Sequence, residues 1–116
     1  MKVILVYPNL FGMNMLPPAI GILNSCLIRE GHTVGLFDTT IYPDFGAGFD
    51  SDKQKEEQLN ARPYDDSLLW EHSQQSVPGE DFRKYAQSFS PDLIALSLTE
   101  DMYPNALTLL RAIQAK

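Results

Sequence analysis

The chain has 116 residues, of which 44% are hydrophobic and 21% charged, the ordinary usage of a globular protein. That length supports one domain with its own core, and the composition excludes a disordered or fibrous chain. Acidic residues outnumber basic ones 15 to 9, for a net charge of −6, so neither nucleic acid nor an anionic membrane is an expected partner. No apolar run reaches the roughly 20 residues that cross a bilayer. Because a lone cysteine holds no internal disulfide or metal cluster, we expect a cytoplasmic location.

The first third of the chain predicts a strand, a helix and a second strand. Val3 to Tyr7 is a continuous apolar run, typical of a strand buried on both faces. Pro17-Pro18 is expected to open a helix, which Gly31 ends in a left-handed conformation. Thr33 to Phe37 then predicts a second buried strand, parallel to the first. The helix should bury four apolar residues at helical spacing: Ile20, Leu23, Leu27 and Ile28.

The middle of the chain is strongly acidic. Residues 38–81 carry 11 acidic and three basic side chains, a net charge of −8, and few aliphatic ones. This pattern predicts a solvated insertion at about residues 39–77. Within it, Lys53 to Asn60 could form a short helix, and Leu68 to Trp70 an apolar turn that docks on the body. We expect Tyr42 to Asp66 to be mobile relative to the sheet, because little burial offsets the cost of ordering them.

The last third predicts another helix, strand and helix. Pro78 to Phe89 forms a helix that buries Phe82 and Tyr85, with Phe89 as a further candidate. Leu93 to Ser97 predicts a third buried strand, and Pro104 begins the last helix. The expected inner face of that helix consists of Ala106, Leu107, Leu110 and Ile113.

These elements define an α/β fold, flavodoxin-like (Rossmann-like), with three layers and a parallel sheet. Such sheets usually have at least five strands, so we expect this fold to be truncated after the third strand and its following helix. The chain would then be the N-terminal part of a longer protein. The third strand would lie at the edge of the sheet, and an unpaired edge favours self-association.

A ligand of an open parallel sheet binds beyond the carboxyl ends of the strands, where the strand order reverses. If the order is second, first, third, the walls of that crevice are the loops Pro8 to Pro17 and Ser97 to Tyr103. The first loop matches neither the dinucleotide fingerprint nor a P-loop, so we do not expect phosphate binding. Its large apolar residues suit a flat apolar ligand, or they cover the sheet or face another domain. The second loop offers hydroxyls and carboxylates that could bind a ligand or cap the next helix.

No residue is predicted to be catalytic or to bind a metal. His32 and His72 lack the neighbours of a metal site, and Cys26 is expected to be a small buried residue of the first helix. Asp38 lies where dinucleotide domains carry a ribose-binding acid, but the glycines that accompany such an acid are absent.

Several segments together resemble a known family. They are Met1 to Asn9 (MKVILVYPN), Pro17 to Gly21 (PPAIG), Leu27 to Val34 (LIREGHTV) with Phe37-Asp38, and Pro91 to Thr99 (PDLIALSLT). This combination resembles the N-terminal cobalamin-binding domain of cobalamin-dependent radical S-adenosylmethionine enzymes. The run LTED at positions 98–101 is similar to the subgroup of anaerobic magnesium-protoporphyrin IX monomethyl ester oxidative cyclases, which are oxidoreductases of tetrapyrrole biosynthesis.

The resemblance implies that cobalamin binds at the carboxyl ends of the strands. The cofactor-binding residues would be Pro8, Asn9, Leu10, Phe11, Leu16, Pro17, Ser97, Leu98, Thr99 and Glu100. The loop after the first strand has no histidine, in contrast to the D-x-H-x-x-G motif of methionine synthase-type domains, so it would supply no histidine ligand to cobalt.

The resemblance also implies a catalytic barrel in a further domain. That barrel would bind S-adenosylmethionine and a four-iron four-sulfur cluster through a three-cysteine motif, which this chain lacks. The chain by itself would therefore not be catalytic, and its partners would be a corrinoid and that further domain.

Two other functions are alternatives to cobalamin binding. One is a flavodoxin-like regulatory or interaction module without a cofactor. It would not be a phosphorelay receiver, because Pro8-Asn9 and Ser97-Leu98 occupy the positions of the acidic cluster and the phosphorylated aspartate. The other is a nucleotide-sugar or methyl transferase, which the missing glycine-rich loop disfavours.

Overall fold

The computed structural model describes residues 1–11, 16–43, 45 and 76–114, and it shows an open α/β fold with an all-parallel sheet. The strands are β1 (Lys2–Tyr7), β2 (Thr33–Asp38) and β3 (Leu93–Leu96). The helices are α1 (Pro18–Arg29), α2 (Pro78–Phe89) and α3 (Tyr103–Gln114), and a 3₁₀ turn, Glu100–Met102, precedes α3. The predicted α/β fold class is confirmed, and the parallel sheet with its helices is consistent with a flavodoxin-like (Rossmann-like) fold. Across the described ranges, every helix is too short or too polar to cross a membrane.

The strand order is β2-β1-β3, as predicted. Val3 of β1 lies opposite Val34 of β2 and Leu93 of β3, and both pairings are parallel. The central strand is buried from Val3 to Tyr7. The outer strands are only partly buried, so the prediction of full burial is wrong for β2 and β3. A strand with one neighbour leaves its outer side uncovered, and β3 lies at an edge of the described sheet as expected.

Alternate residues of β1 pack against different helices. Val3 and Leu5 contact a cluster that contains Ile20 of α1. Ile4 and Val6 belong to a larger cluster on the other face, together with residues of α2 and α3. The helix that follows β1 is α1, and the helix that follows β2 in the described chain is α2. These two helices therefore pack on opposite faces of the sheet. This arrangement makes the boundary between β1 and β3 the point where the strand order reverses.

The first helix has the predicted limits but a narrower buried face than expected. Gly31 adopts a left-handed φ of +83°, and its N–H donates to the carbonyl of Ile28 at 3.0 Å. Ile20 is buried, whereas Leu23 and Ile28 are exposed, in contrast to the prediction. Among the described elements, α1 alone packs on this face, and it touches the sheet along one narrow stripe, so its flanking apolar residues are exposed. Cys26 is exposed for the same reason, and its predicted burial is wrong.

The last helix has a buried face that only partly matches the prediction, since Ala106 is buried and Ile113 packs against the larger cluster as expected, whereas Leu107 is half-buried. The helix begins at Tyr103 rather than Pro104, and its fully buried residue is Leu109, while Leu110 is only half-buried. Leu109 packs in the cluster that contains Phe82 of α2, and Ala106 is also buried. Since the helix carries adjacent leucines, the apolar pattern fits either rotation, and packing against α2 and the sheet selects one of them.

The beginning of the acidic stretch is part of the packed body. Tyr42 and Phe45 are buried in the larger cluster, and the Tyr42 hydroxyl donates to Oδ2 of Asp81 at 2.9 Å. Burial, followed by this hydrogen bond, raises the pKa of Tyr42, so the hydroxyl stays protonated at neutral pH. The expected mobility does not fit these two residues. The predicted helix at 53–60, the apolar turn at 68–70 and the rest of the insertion lie outside the described residues.

Gly35 allows α2 to pack closely on β2. A Cβ at this position would lie 2.2 Å from the Tyr85 hydroxyl oxygen and 3.3 Å from Cε2 of Phe89. We expect Gly35→Ala to lower the free energy of unfolding by about 1–3 kcal/mol, because both rings must shift out of their packed positions. Urea denaturation of the two proteins measures this difference.

The matched control is Gly21→Ala on α1, where an added Cβ meets no atom within 4 Å. Alanine is the better helix former, so this variant should gain about 0.5–1 kcal/mol. Equal stability of the Gly35→Ala protein and the unsubstituted protein would show that Tyr85 and Phe89 rearrange without cost, contrary to this expectation.

Candidate functional site

The carboxyl ends of the three strands converge at one edge of the sheet. The Ser97 N–H, just after β3, donates to the Val6 carbonyl at 3.0 Å, and the Thr39 N–H, just after β2, donates to the Tyr7 carbonyl at 3.2 Å. These bonds fix the starts of the loops after β2 and β3 against the end of β1. The loops that follow β1 and β3 are therefore neighbours at this edge, as the strand order predicted.

The start of the loop after β1 is part of the interior. Pro8, Asn9 and Leu10 are buried. The Asn9 amide donates to Oγ1 of Thr40 at 2.9 Å and accepts from the Leu10 N–H at 3.0 Å. The Thr39 hydroxyl donates to the Asn9 carbonyl at 2.7 Å. Asn9 therefore has a structural role, because its side chain and its carbonyl hold the loop against the exit of β2.

Asn105 of α3 supports the same loop from the other face. It is buried, and its Nδ2 lies 3.4 Å from the carbonyl oxygens of both Pro8 and Asn9. Asn105 was not among the predicted site residues, because by pattern alone an asparagine in the first turn of a helix is an ordinary surface residue.

The other members of the predicted site offer surface to a ligand. From the first loop, Phe11 and Pro17 are half-buried and Leu16 is 37% exposed. From the loop after β3, Ser97 is half-buried, whereas Leu98 is 37% exposed. Thr99 and Glu100 are also exposed. The two loops thus present one exposed leucine each, and the second loop adds hydroxyl and carboxylate groups.

The loop after β3 is ordered by Thr99. The Thr99 hydroxyl donates to Oδ1 of Asp101, and the Thr99 carbonyl accepts from the Met102 N–H at 3.1 Å. No side-chain hydrogen bond caps the 3₁₀ turn that begins after Thr99. The hydroxyl instead orients a carboxylate at the carboxyl edge of the sheet.

Two polar side chains mark the ends of β1 and β2. Tyr7 ends β1 and lies opposite Asp38, which ends β2. Burial raises the pKa of Tyr7, and the negative charges of Asp38 and then Asp101 raise it further, so the phenol is neutral at neutral pH. Tyr7 was not among the predicted site residues. The available signal was a polar group at the last position of a buried strand.

The described histidine lies at the opposite edge of the sheet. Nδ1 of His32 is 3.1 Å from the amino-terminal nitrogen of Met1, at the amino ends of the strands. Within residues 1–11, 16–43, 45 and 76–114, no three histidine, cysteine, aspartate or glutamate side chains are grouped as a metal site would require. His72 lies outside the described residues.

A cavity of about 640 Å³ lies elsewhere, between the chain after β2, the start of α2, and α3. None of the ten predicted site residues lines it. Its hydroxyls are already hydrogen-bonded: Tyr42 and Ser76 donate to Asp81, and Thr108 donates to the Pro104 carbonyl. We place the candidate site at the carboxyl edge instead, because exposed apolar and polar side chains converge there from separate strands.

Comparisons with models of protein families, with curated proteins and with solved structures found no match to this chain.

Proposed function

We propose that the chain is the cobalamin-binding part of a larger cobalamin-dependent radical S-adenosylmethionine enzyme, with the corrinoid bound against the loops after β1 and β3. The observation that carries this proposal is the β2-β1-β3 order, with α1 and α2 on opposite faces. Such an arrangement forms a ligand crevice at the carboxyl edge. The sequence segments that resemble the family supply the identity of the ligand.

The residues at this edge fit a corrinoid. A corrin ring is broad and flat, with apolar edges and polar side chains. Leu16 and Leu98 are exposed on the two walls and could pack against the ring, with Phe11 beside them. Glu100 and Asp101 could accept hydrogen bonds from the polar side chains of the ring. His32 lies at the amino edge, so a lower histidine ligand would not come from that residue.

The role of this chain would be to bind and orient the cofactor. When bound, the cobalt centre supplies the group-transfer or redox chemistry. The loops would exclude water from the face of the ring that they cover. S-adenosylmethionine and the four-iron cluster would belong to a further domain, in keeping with the single cysteine of this chain. The finer proposal, an oxidative cyclase of magnesium-protoporphyrin monomethyl ester, rests on positions 98–101 alone.

Titration with hydroxocobalamin, followed by its absorption spectrum, tests the proposal. We expect saturable binding, and we expect Leu98→Gln and Leu16→Gln each to weaken it about tenfold, since each loses part of the burial of a leucine. Ile22→Gln is the matched control, because Ile22 is 63% exposed on α1 and outside the two loops. Absence of any spectral change with the unsubstituted protein, or equal effects of all three variants, would reject the proposal.

A second candidate is an interaction module without a cofactor, and the exposed apolar side chains of α1 favour it. Ile22, Leu23 and Ile28 are all exposed on one helix, and Leu93 of the edge strand is 47% exposed. Surfaces of this kind often bind another protein or a second copy of the chain. Light scattering of the unsubstituted and Ile22→Gln proteins discriminates between the two. Self-association that Ile22→Gln abolishes, without a corrinoid response, would favour this candidate.

A further inference from the structure

The outer edge of β2 is an open strand edge without the usual protection. In the described sheet, β2 pairs with β1 on one side and with no strand on the other. Its six residues include no lysine and no proline, and the one charged side chain is that of Asp38 at the end. Native sheets protect their edges with charges, prolines or bulges, because an unprotected edge pairs with a further strand. The edge of β2 is therefore suited to such pairing.

The hydrogen bonds to β1 determine which backbone groups of β2 face outward. The Thr33 N–H donates to the Met1 carbonyl at 3.0 Å, and the Thr39 N–H donates to the Tyr7 carbonyl at 3.2 Å. Since bonding residues alternate along a parallel strand, the odd-numbered residues of β2 bond to β1. The N–H and C=O groups of the even-numbered residues point away from β1, and these residues are Val34, Leu36 and Asp38.

We propose that two copies of the chain join antiparallel through their β2 edges, with Leu36 on the two-fold axis. In this register, Leu36 lies opposite Leu36 of the second copy, and Val34 lies opposite Asp38. All outward backbone groups of both strands are then paired. The two three-stranded sheets become one continuous sheet. The inference goes beyond cofactor binding and does not depend on the identity of the ligand.

The side chains of β2 fit a second copy in this register. Leu36 is 43% exposed, and on the axis it packs against its own copy as an apolar cross-strand pair. Asp38 faces Val34 rather than another charge, and its Oδ1 already accepts bonds from the Thr40 N–H and hydroxyl. The two Asp38 side chains lie roughly 13 Å apart along the paired strands, which exceeds the Debye length at physiological salt. Like charges therefore do not oppose the association.

The edge of β3 is less suited to a second copy. β3 has four residues, compared with six in β2. The Ser97 N–H donates to the Val6 carbonyl, so alternation leaves only Ile94 and Leu96 of β3 with outward backbone groups. Although the sequence analysis expected self-association at β3, the longer edge and the exposed leucine at its centre place the interface on β2.

Sedimentation velocity over a range of protein concentrations tests the association. Since a six-residue edge is small for an interface, we expect a reversible equilibrium between monomer and dimer. Leu36→Lys should raise the dissociation constant at least about tenfold, because it places two like charges opposite each other on the axis. Leu93→Lys is the matched control and should leave the constant unchanged. Leu93 is an exposed leucine on the same sheet face as Leu36, but it lies on β3.

Disulfide formation tests the register directly. Cys26, the single cysteine, is first replaced in a Cys26→Ser background. Leu36→Cys then places two thiols opposite each other, with Cα atoms about 5.5 Å apart, a separation that a disulfide can span. We expect a covalent dimer under mild oxidation. Leu93→Cys in the same background should remain monomeric.

A monomer at every concentration would overturn the inference. So would an association that Leu93→Lys or Ile22→Gln weakens more than Leu36→Lys does, because the interface would then lie on β3 or on α1. Circular dichroism shows whether Leu36→Lys is folded. If that variant is unfolded, the cross-linking decides, and equal cross-linking of Leu36→Cys and Leu93→Cys would contradict the proposed pairing.

Discussion

Phe82→Ala is expected to lower the free energy of unfolding by about 3–5 kcal/mol. Phe82 is fully buried on α2, and its ring centroid lies 4.9 Å from that of Phe37 on β2. The same cluster contains Ile4 and Val6 of the central strand. Truncation removes the most deeply buried of the side chains through which α2 contacts the sheet and leaves a cavity in the core. Because a domain of this size has a total stability of about 5–15 kcal/mol, the variant would be close to unfolding.

Urea denaturation at a temperature below the melting transition measures this loss. Phe89→Ala is the control on the same helix, since Phe89 is only partly buried, and its cost should be clearly smaller. Phe82→Leu keeps most of the volume and should cost less than half as much as alanine. A Phe82→Ala protein within 1 kcal/mol of the unsubstituted one would show that Phe82 is not the centre of this core.

Leu109→Ala should lower the free energy of unfolding by about 2–5 kcal/mol, whereas Leu110→Ala should cost less than half of that. Leu109 is fully buried in the cluster between α3, α2 and the sheet, and Leu110 is half-buried. The two leucines are adjacent and have the same helix propensity, so a difference in stability reports burial alone.

Thermal melts and urea titrations of the two variants provide the comparison. A larger loss for Leu110→Ala would mean that α3 is rotated so that Leu110, as predicted from its apolar pattern, and not Leu109 faces the core. Equal losses would mean that the helix packs loosely against α2 and lacks a defined inner face.

The candidate site was predictable in position but not in detail. The reversal of strand order depends on which elements are strands and how long their connections are, and both are local properties of the sequence. Which loop residues face a ligand depends on contacts between distant segments. Asn9 is buried because Thr40 and Asn105 meet it there. Tyr7 likewise lies at this edge opposite Asp38, a residue 31 positions later in the chain.

The sequence by itself determined the element order, the parallel pairing and most element limits. Continuous apolar runs, paired prolines and a glycine at a positive φ each determine the conformation of the few residues around them. For this reason, the limits of α1, α2 and β1 closely follow their predicted ranges. Only the tertiary structure decided which side of a helix is buried. Leu109 rather than Leu110 faces the core, and Leu23 stays in solvent, because burial depends on what lies opposite each helix. The same applies to Tyr42. Its neighbours in the sequence indicate a polar loop, but its hydroxyl donates a hydrogen bond to Asp81, which lies 39 residues later in the chain.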